Sequence, residues 1–348
     1  LTAALKKVAK MIDWNNVKLK DNQGIGIACG MIPSVGIHSS AATIKINEDG
    51  TVTVITGATD TGAGAITGLQ MIAAEELTLS LDKITILNAD TNFTPWDGGS
   101  QGSRTTYASG NAVLRAARDV KNQLFELASK KLEISVDKLT LKNEKIFEIN
   151  NSSNSLTIQD ICIYSQFQFG GPIVGRGSFV ADWPPYDKNT LNGFVLFPSF
   201  HDPSFIAHAC IVEIDKDTGI VKVVKYCAAH DVGFAINPLG IEGQIEGGVV
   251  QGLGYALFEE VYTDSEGTVI NNSLGDYKVP TISDVPIIES AIITGFYGSG
   301  PYGAKGVGEA NIVPPAPTVA NAVFDALGVK VNTLPITPEK ILDELSDR

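Results

Sequence analysis

Residues 42–58 read ATIKINEDGTVTVITGA, and residues 205–233 read FIAHACIVEIDKDTGIVKVVKYCAAHDVG. In the first stretch apolar and polar residues alternate on both sides of Asn47–Gly50, the pattern of two half-buried strands joined by a tight turn. The second stretch repeats it as strand, Asp/Gly turn, strand and a polar loop ending in glycine. A helical pattern follows each, AITGLQMIAAEELTLS (65–80) and IEGQIEGGVVQGLGYALFEEV (241–261), at about the same offset from the turns. We read a duplicated hairpin–loop–helix unit. The expected fold is α+β, with two lobes of mixed sheets and helices over 1–192 and 193–348. Facing units would let polar loops from both line one cleft.

Around these units, LTAALKKVAKMIDW at the N-terminus has apolar residues at helical spacing, and GIGIACGMI (24–32) reads as a buried strand. ITILNAD is a short strand, and residues 105–132 form a long amphipathic helix. The segment from about 143 to 192, with NNSSNS, GGPIVGRG and DWPPYDKN, reads as loop-rich. The C-terminus closes with a helix over 316–328 and a short one after Pro335, capped by Thr337 before Pro338.

The chain has 348 residues, enough for roughly two domains, with 44% hydrophobic and 19% charged residues, as in ordinary globular proteins. A net charge of −13 argues against nucleic acid or anionic membrane as partner. The N-terminal stretch is broken by lysines, so it is neither signal peptide nor membrane span. Cys29, Cys162, Cys210 and Cys227 form no C-x-x-C pair, which argues against structural zinc or a Cys-ligated cluster; reduced cytoplasmic thiols fit best. His38, His201, His208 and His230 lie in no metal-ligand spacing and read as loop or core histidines.

Four stretches could carry chemistry. GATDTGAGAIT (57–67), with Gly62 and Gly64, joins a strand to a helix and could present backbone N–H groups to an anion. WDGGSQGSRTTYASGNA (96–112) offers hydroxyls of Ser100, Ser103, Thr105 and Thr106, with Gly102 among them and Arg104 as a guanidinium suited to phosphate. In IEGQIEGGVVQGLG, glycines inside a helical pattern each cost about 0.5–1 kcal/mol relative to Ala, so close packing against backbone or ligand must offset them. Gln244 and Gln251 share a face there. GSGPYGAKGVGE (298–309) clears space around the backbone and ends it in a carboxylate, Glu309. GSGPYG matches G-x-G-x-x-G, which raises a nicotinamide-nucleotide site. No helix pattern opens at the third glycine, so context argues against it.

G-A-K-G-V-G-E, G-S-x-G-S-R-x-T before a long helix, and Q-I-E-G-G-V-V-Q-G-L-G together resemble the molybdenum hydroxylase family of xanthine dehydrogenases and aldehyde oxidoreductases. The likeness is to the C-terminal half of their molybdopterin-binding region and covers nearly the whole chain. It implies that Glu309 is the general base beside molybdenum, withdrawn from water so that its pKa rises toward working pH. It implies that Ser100, Gly102, Ser103, Arg104 and Thr105 cradle cofactor phosphates, with Gln244 near the molybdopterin. Gly303, Ala304, Lys305 and Gly306 would form the turn against the cofactor. Molybdenum would be held by the molybdopterin, as a cytosine dinucleotide, and not by side chains.

The chain has Gly62-Ala63-Gly64 where many relatives have Gly-Gln-Gly. Nothing in it corresponds to the family's preceding half, its [2Fe–2S] cysteine sets or its flavin module. The resemblance therefore implies a subunit of a heteromer, with partners carrying the other half of the molybdopterin domain, the [2Fe–2S] clusters and FAD. Such a split resembles the nicotinate-dehydrogenase-like members, which have a medium molybdopterin subunit. The implied activity is hydroxylation of an N-heteroaromatic (nicotinate or a purine such as xanthine) or an aldehyde, with water as oxygen source. The competing readings are a non-catalytic scaffold completing a partner's cofactor site and a nucleotide-binding oxidoreductase using GSGPYG.

Overall fold

The computed structural model describes residues 1–34, 36, 38–181 and 202–346. In chain order its elements begin with α1 (Thr2–Met11), β1 (Gln23–Ile32), β2 (Ser40–Ile46), β3 (Val52–Thr56), α2 (Ala65–Leu77) and β4 (Ile84–Asn88). Then come α3 (Gly110–Leu132), β5 (Leu139–Lys142), β6 (Lys145–Glu148), β7 (Asn151–Thr157), α4 (Ile158–Tyr164) and β8 (Val174–Phe179). The remainder holds β9 (Ser204–Ile214), β10 (Val221–Gly233), α5 (Pro238–Leu257), β11 (Ile287–Thr294), α6 (Pro315–Leu327) and α7 (Pro338–Ser346). No helix among the described residues is long and apolar enough to cross a membrane.

Two compact units form. The first takes Leu1–Ile32, Pro203–Phe296 and Val307–Arg348; the second takes Pro33–Asp202 and Tyr297–Gly306. The units thus interleave along the chain and do not divide at 192/193. One reason is β1, which pairs antiparallel with β9 from Gln23↔Glu213 to Ile32↔Ser204 and so carries the N-terminus into the first unit.

In the second unit the expected hairpin is present. β2 and β3 pair with Ile44 opposite Val54, both fully buried, while Thr43 and Lys45 lie on the other face. The chain then runs through α2 and returns as β4, parallel to β3, and β8 closes the other edge antiparallel to β2. The first unit repeats this topology. β9 and β10 form the hairpin, α5 leads to β11 parallel to β10, and β1 lies antiparallel to β9. The closing strand follows the hairpin in one unit and precedes it in the other, so the two are circular permutations of one plan. In the first unit the sheet is covered on both faces. Ala207, Ala209 and Ile211 pack toward α1, and Cys210, Val212 and Ile214 toward α5, α6 and α7, which explains the nearly unbroken apolar run of β9.

Each closing strand carries G-x-G against a helix backbone. A Cβ on Gly175 or Gly177 of β8 would lie 2.4 Å from Ala116 O or 2.1 Å from Ala112 O of α3. On β1, Gly24 and Gly26 would meet Ala322 O and Thr318 O of α6, both at 2.1 Å. Two strand residues advance about 6.6 Å and four helical residues about 6 Å, so successive glycines meet successive helical turns.

The region expected to be loop-rich is regular from Lys145 to Phe179. β5, β6 and β7 form a three-stranded antiparallel sheet, whose last strand, NSSNSLT, is mostly exposed and therefore polar. α4 starts at a capping box between Thr157 and Asp160, and β8 needs glycines for helix contact. DWPPYDKN (182–189) and His201 lie outside the described residues.

Two of the histidines are core residues, as expected. His208 Nε2 lies 2.7 Å from His230 Nε2, and His208 Nδ1 lies 2.9 Å from Tyr226 Oη. Burial holds His208 well below the usual imidazole range and pushes His230 down to about 3. Both are neutral in the folded chain, while the unfolded chain takes up protons near pH 6.5. The stability of the first unit should be level above about pH 6.5. It should fall by about 1.4 kcal/mol per pH unit for each of these histidines as pH drops toward 3. Urea unfolding at pH 7 and pH 5 checks this, and a His230→Phe variant should show a smaller drop. A second test contrasts two glycines. Gly26→Ala should cost at least about 2 kcal/mol by overpacking. Gly243→Ala, in open space on α5, should stabilise by about 0.5–1 kcal/mol in the same assay.

Candidate functional site

The loop before α3 is built around a buried ion pair. Arg104 is fully buried; its Nη1 donates to Asp97 Oδ1 (3.1 Å) and Gly99 O (2.9 Å), and its Nη2 to His38 O (2.7 Å) and Ser40 Oγ (2.8 Å). Asp97 also accepts from Ser109 Oγ and Gly99 N, each at 2.9 Å. The expected phosphate contact from this guanidinium is therefore corrected. Both terminal nitrogens are spent on protein acceptors, and Arg104 shapes the loop from within. What the loop turns outward is hydroxyl. Ser100 is exposed, Gly102, Ser103 and Thr105 are half-buried, and Ser100 Oγ lies 3.1 Å from Thr105 Oγ1. These donors stand where a wide turn, Thr105–Ser109, leads into the 23-residue α3, a setting that favours an anionic group.

The turn at 298–306 packs on the same loop. Gly298 N donates to Gly303 O (2.9 Å), Gly303 N to Gly300 O (2.8 Å) and Ala304 N to Pro301 O (3.0 Å), so the turn satisfies its own backbone. Tyr107 Oη meets Ser299 Oγ at 2.8 Å, and Asn111 Nδ2 donates to Ser299 O at 3.0 Å. Gly306 N donates to Ser34 Oγ at 3.0 Å, and a Cβ on Gly306 would lie 2.5 Å from Ser103 O. Ser103 itself sits at φ 56°, a left-handed conformation uncommon for serine that this close approach accompanies. Ala304 and Lys305 are buried. No α-helix opens at Gly303, so GSGPYG lacks the geometry of a nucleotide fingerprint.

The loop with Gly62 and Gly64 already holds an anion of its own. Asp60 Oδ1 accepts from Gly62 N (2.9 Å) and Gly64 N (3.2 Å), and Oδ2 from Ile66 N (3.3 Å). The amides expected to face a ligand are engaged by this carboxylate. Space beside both glycines is open.

In the first unit, Glu309 ends a turn and is exposed, while Ala310 and Asn311 behind it are fully buried. The chain by itself leaves the Glu309 carboxyl exposed. Asn311 Nδ2 donates to Gln244 O at 2.8 Å, Val307 O at 3.1 Å and Gly308 O at 3.2 Å, which brings the turn onto α5. Two of the helical glycines, Gly248 and Gly252, now have their reason. A Cβ on Gly248 would lie 2.3 Å from Asn311 Cβ, and one on Gly252 would lie 2.5 Å from Pro315. Gln244 is half-buried and Gln251 exposed. Sequence reasoning missed Asp60, Asp97 and Asn311. All three are polar residues inside Gly-rich loops, where turn backbone needs internal partners. No group of three or more His, Cys, Asp or Glu residues that could hold a metal ion occurs among the described residues.

Residues 3–286 match the family model of the molybdopterin cofactor-binding domain. The putative xanthine dehydrogenase molybdenum-binding subunit of Escherichia coli (strain K12) is 32% identical over 360 residues, which span 99% of this chain and 46% of that protein. The nicotine 6-hydroxylase large subunit of Paenarthrobacter nicotinovorans is 32% identical over 323 residues, 91% of this chain and 38% of its own. Among solved structures, quinoline 2-oxidoreductase from Pseudomonas putida 86 superposes with a TM-score of 0.84 at 26% identity, covering 99% of this chain and 44% of that one. The chain therefore belongs to the molybdenum hydroxylase family and has the fold of its molybdopterin cofactor-binding domain. It spans less than half the length of these relatives.

The Arg104–Asp97 pair predicts where mutations will hurt. Arg104→Ala should cost about 3–5 kcal/mol, because it strands a buried carboxylate. Ser100→Ala, at the exposed hydroxyl pair, should change stability by less than about 0.5 kcal/mol. Urea unfolding of both variants gives the comparison.

Proposed function

We propose that this chain is the molybdopterin-binding catalytic subunit of a heteromeric hydroxylase. In this reading the enzyme places water-derived oxygen on an electron-poor carbon of its substrate. The bound cofactor supplies the two-electron acceptor for that chemistry. Relatives named for xanthine, nicotine and quinoline support an N-heteroaromatic substrate, nicotinate or a purine, ahead of an aldehyde. In this reading its part resembles that of the medium molybdopterin subunit in a nicotinate-dehydrogenase-like enzyme. One partner would bring the rest of the cofactor domain, and others [2Fe–2S] clusters and FAD to carry electrons away.

Within the chain, Ser100, Ser103 and Thr105 would bind the phosphates of a dinucleotide form through hydroxyls and the amides leading into α3, with Gly102 allowing close approach. Arg104 would hold that loop in shape. Gly303, Ala304, Lys305 and Gly306 would form the wall against Ser103. Gln244 would lie along the cofactor, and Gly62 and Gly64 would contribute a loop edge, their amides being held by Asp60. Glu309 would accept, on its carboxylate, the proton of the water-derived oxygen and so act as general base. The partner and the cofactor would provide the cover that removes it from water.

The observation that carries this reading is the setting of Glu309. An exposed carboxylate stands on a turn backed by two fully buried residues and hydrogen-bonded to α5. A loose surface loop would need no such support. In the purified complex, Glu309→Gln should keep its molybdenum and lose turnover of nicotinate, xanthine or aldehyde by roughly 10²-fold or more. Turnover at the wild-type rate would leave the chain a scaffold for a partner's site.

A further inference from the structure

We infer that Asn311 is a positioning residue for Glu309, and that Gly248 exists to admit it. The inference rests on the reading of Glu309 as the base. Asn311 is fully buried in the first unit, and all three neighbours of its Nδ2 are carbonyl oxygens: Gln244 O, Val307 O and Gly308 O, at 2.8, 3.1 and 3.2 Å. Three acceptors around one amide nitrogen fix its orientation, because an oxygen in that place would face three other oxygens. Two hydrogens serve three acceptors, so one bond is shared.

Two of these carbonyls belong to the residues immediately before Glu309. Gly306 and Gly308 flank Val307, so the approach to Glu309 has little stiffness of its own. The side chain of Asn311 replaces it. By holding the Gly308 carbonyl it fixes the peptide plane that joins Gly308 to Glu309, and with it the direction in which the Glu309 side chain leaves the backbone. Ala310 N to Val307 O (3.2 Å) and Ile312 N to Glu309 O (3.4 Å) close the turn from the other side.

The third acceptor ties this turn to α5. Helical geometry gives Gln244 O a partner at the amide of Gly248, and Asn311 takes its remaining lone pair. Gly248 is also the residue whose missing side chain makes room, since a Cβ there would fall 2.3 Å from Asn311 Cβ. Any side chain at 248 must push Asn311 off its carbonyls. Residues 244, 248 and 311 therefore act together, and the Glu309 backbone is held relative to Gln244. General-base catalysis demands that placement, because errors near 1 Å can cost about 100-fold in rate.

The test uses the purified complex with the substrate that it turns over among nicotinate, xanthine and aldehyde. Asn311→Ala and, separately, Gly248→Ala should each lower kcat 10- to 100-fold, with KM altered less than 3-fold and molybdenum content unchanged. Hydrogen exchange at Ala310 and Ile312 should quicken at least 10-fold in both variants, with α6 unaffected. A purely structural role would leave kcat at the wild-type level in molecules that retain molybdenum, and that result overturns the inference. If neither variant folds, exchange in the wild-type complex decides. Slow exchange at Ala310 and Ile312 beside the exposed Glu309 upholds a rigid turn, and exchange at unprotected rates refutes it. A dead Glu309→Gln beside a fully active Asn311→Ala sinks this inference alone, whereas an active Glu309→Gln sinks the reading beneath it.

Discussion

The contact on which the rest depends is backbone against backbone, a helix lying on a strand with no side chain between them. In each unit a G-x-G on the closing strand brings a helix to the sheet, α3 over Gly175 and Gly177 and α6 over Gly24 and Gly26. The start of each helix is thereby fixed to the sheet. What precedes each start is a candidate loop: residues 96–106 lead into α3, and the Glu309 turn leads into α6 through Pro315. The repeated plan thus generates two equivalent sites for a loop, one used for hydroxyl donors and the other for a carboxylate. Residues placed this way inherit the rigidity of a packed helix although they lie on loops.

A second principle runs through all the candidate loops. Glycine gives the backbone freedom to turn and to approach, and it leaves amides and carbonyls without local partners. Each loop answers with an internal polar side chain or a pair of them. Asp60 gathers the amides ahead of α2, Arg104 with Asp97 gathers the carbonyls and hydroxyls ahead of α3, and Asn311 gathers the carbonyls ahead of α6. Residue types that would serve a ligand well therefore serve the loop first. Around these internal bonds Ser100 and Glu309 are exposed, and Ser103 and Thr105 are half-buried.

Much of the fold was legible because alternation and helical spacing report burial directly. The hairpins at Asn47–Gly50 and Asp215–Gly219, the helices at 65–77 and 238–257, and the capped helix at Pro338 all follow from local pattern. The stretch 145–179 was misread for a physical reason. β7 is polar because it is exposed, and β8 carries glycines because α3 lies on it, so both look like loop to a reading that equates strands with apolar alternation. The T-x-x-D at Thr157 was an available signal for α4. Within the site, the order of motifs led to Glu309 and to the family. The inward aim of Arg104 was not legible, since its acceptors His38 O and Ser40 Oγ lie more than sixty positions away. Asn311 was hidden for the same reason, its function depending on a carbonyl of α5.

The family relationship gives the chain a cofactor class, and the proposed function gives the exposed carboxylate of Glu309 a part beside that cofactor. The central claim is that this carboxylate meets the metal site in the proposed heteromeric enzyme. The most direct measurement is an experimental structure of the complex as purified from its source. The account predicts the Glu309 carboxylate at about hydrogen-bond distance, roughly 3 Å, from the molybdenum coordination sphere and shielded from solvent. A carboxylate still open to water in the cofactor-loaded complex, out of reach of the metal, would contradict it.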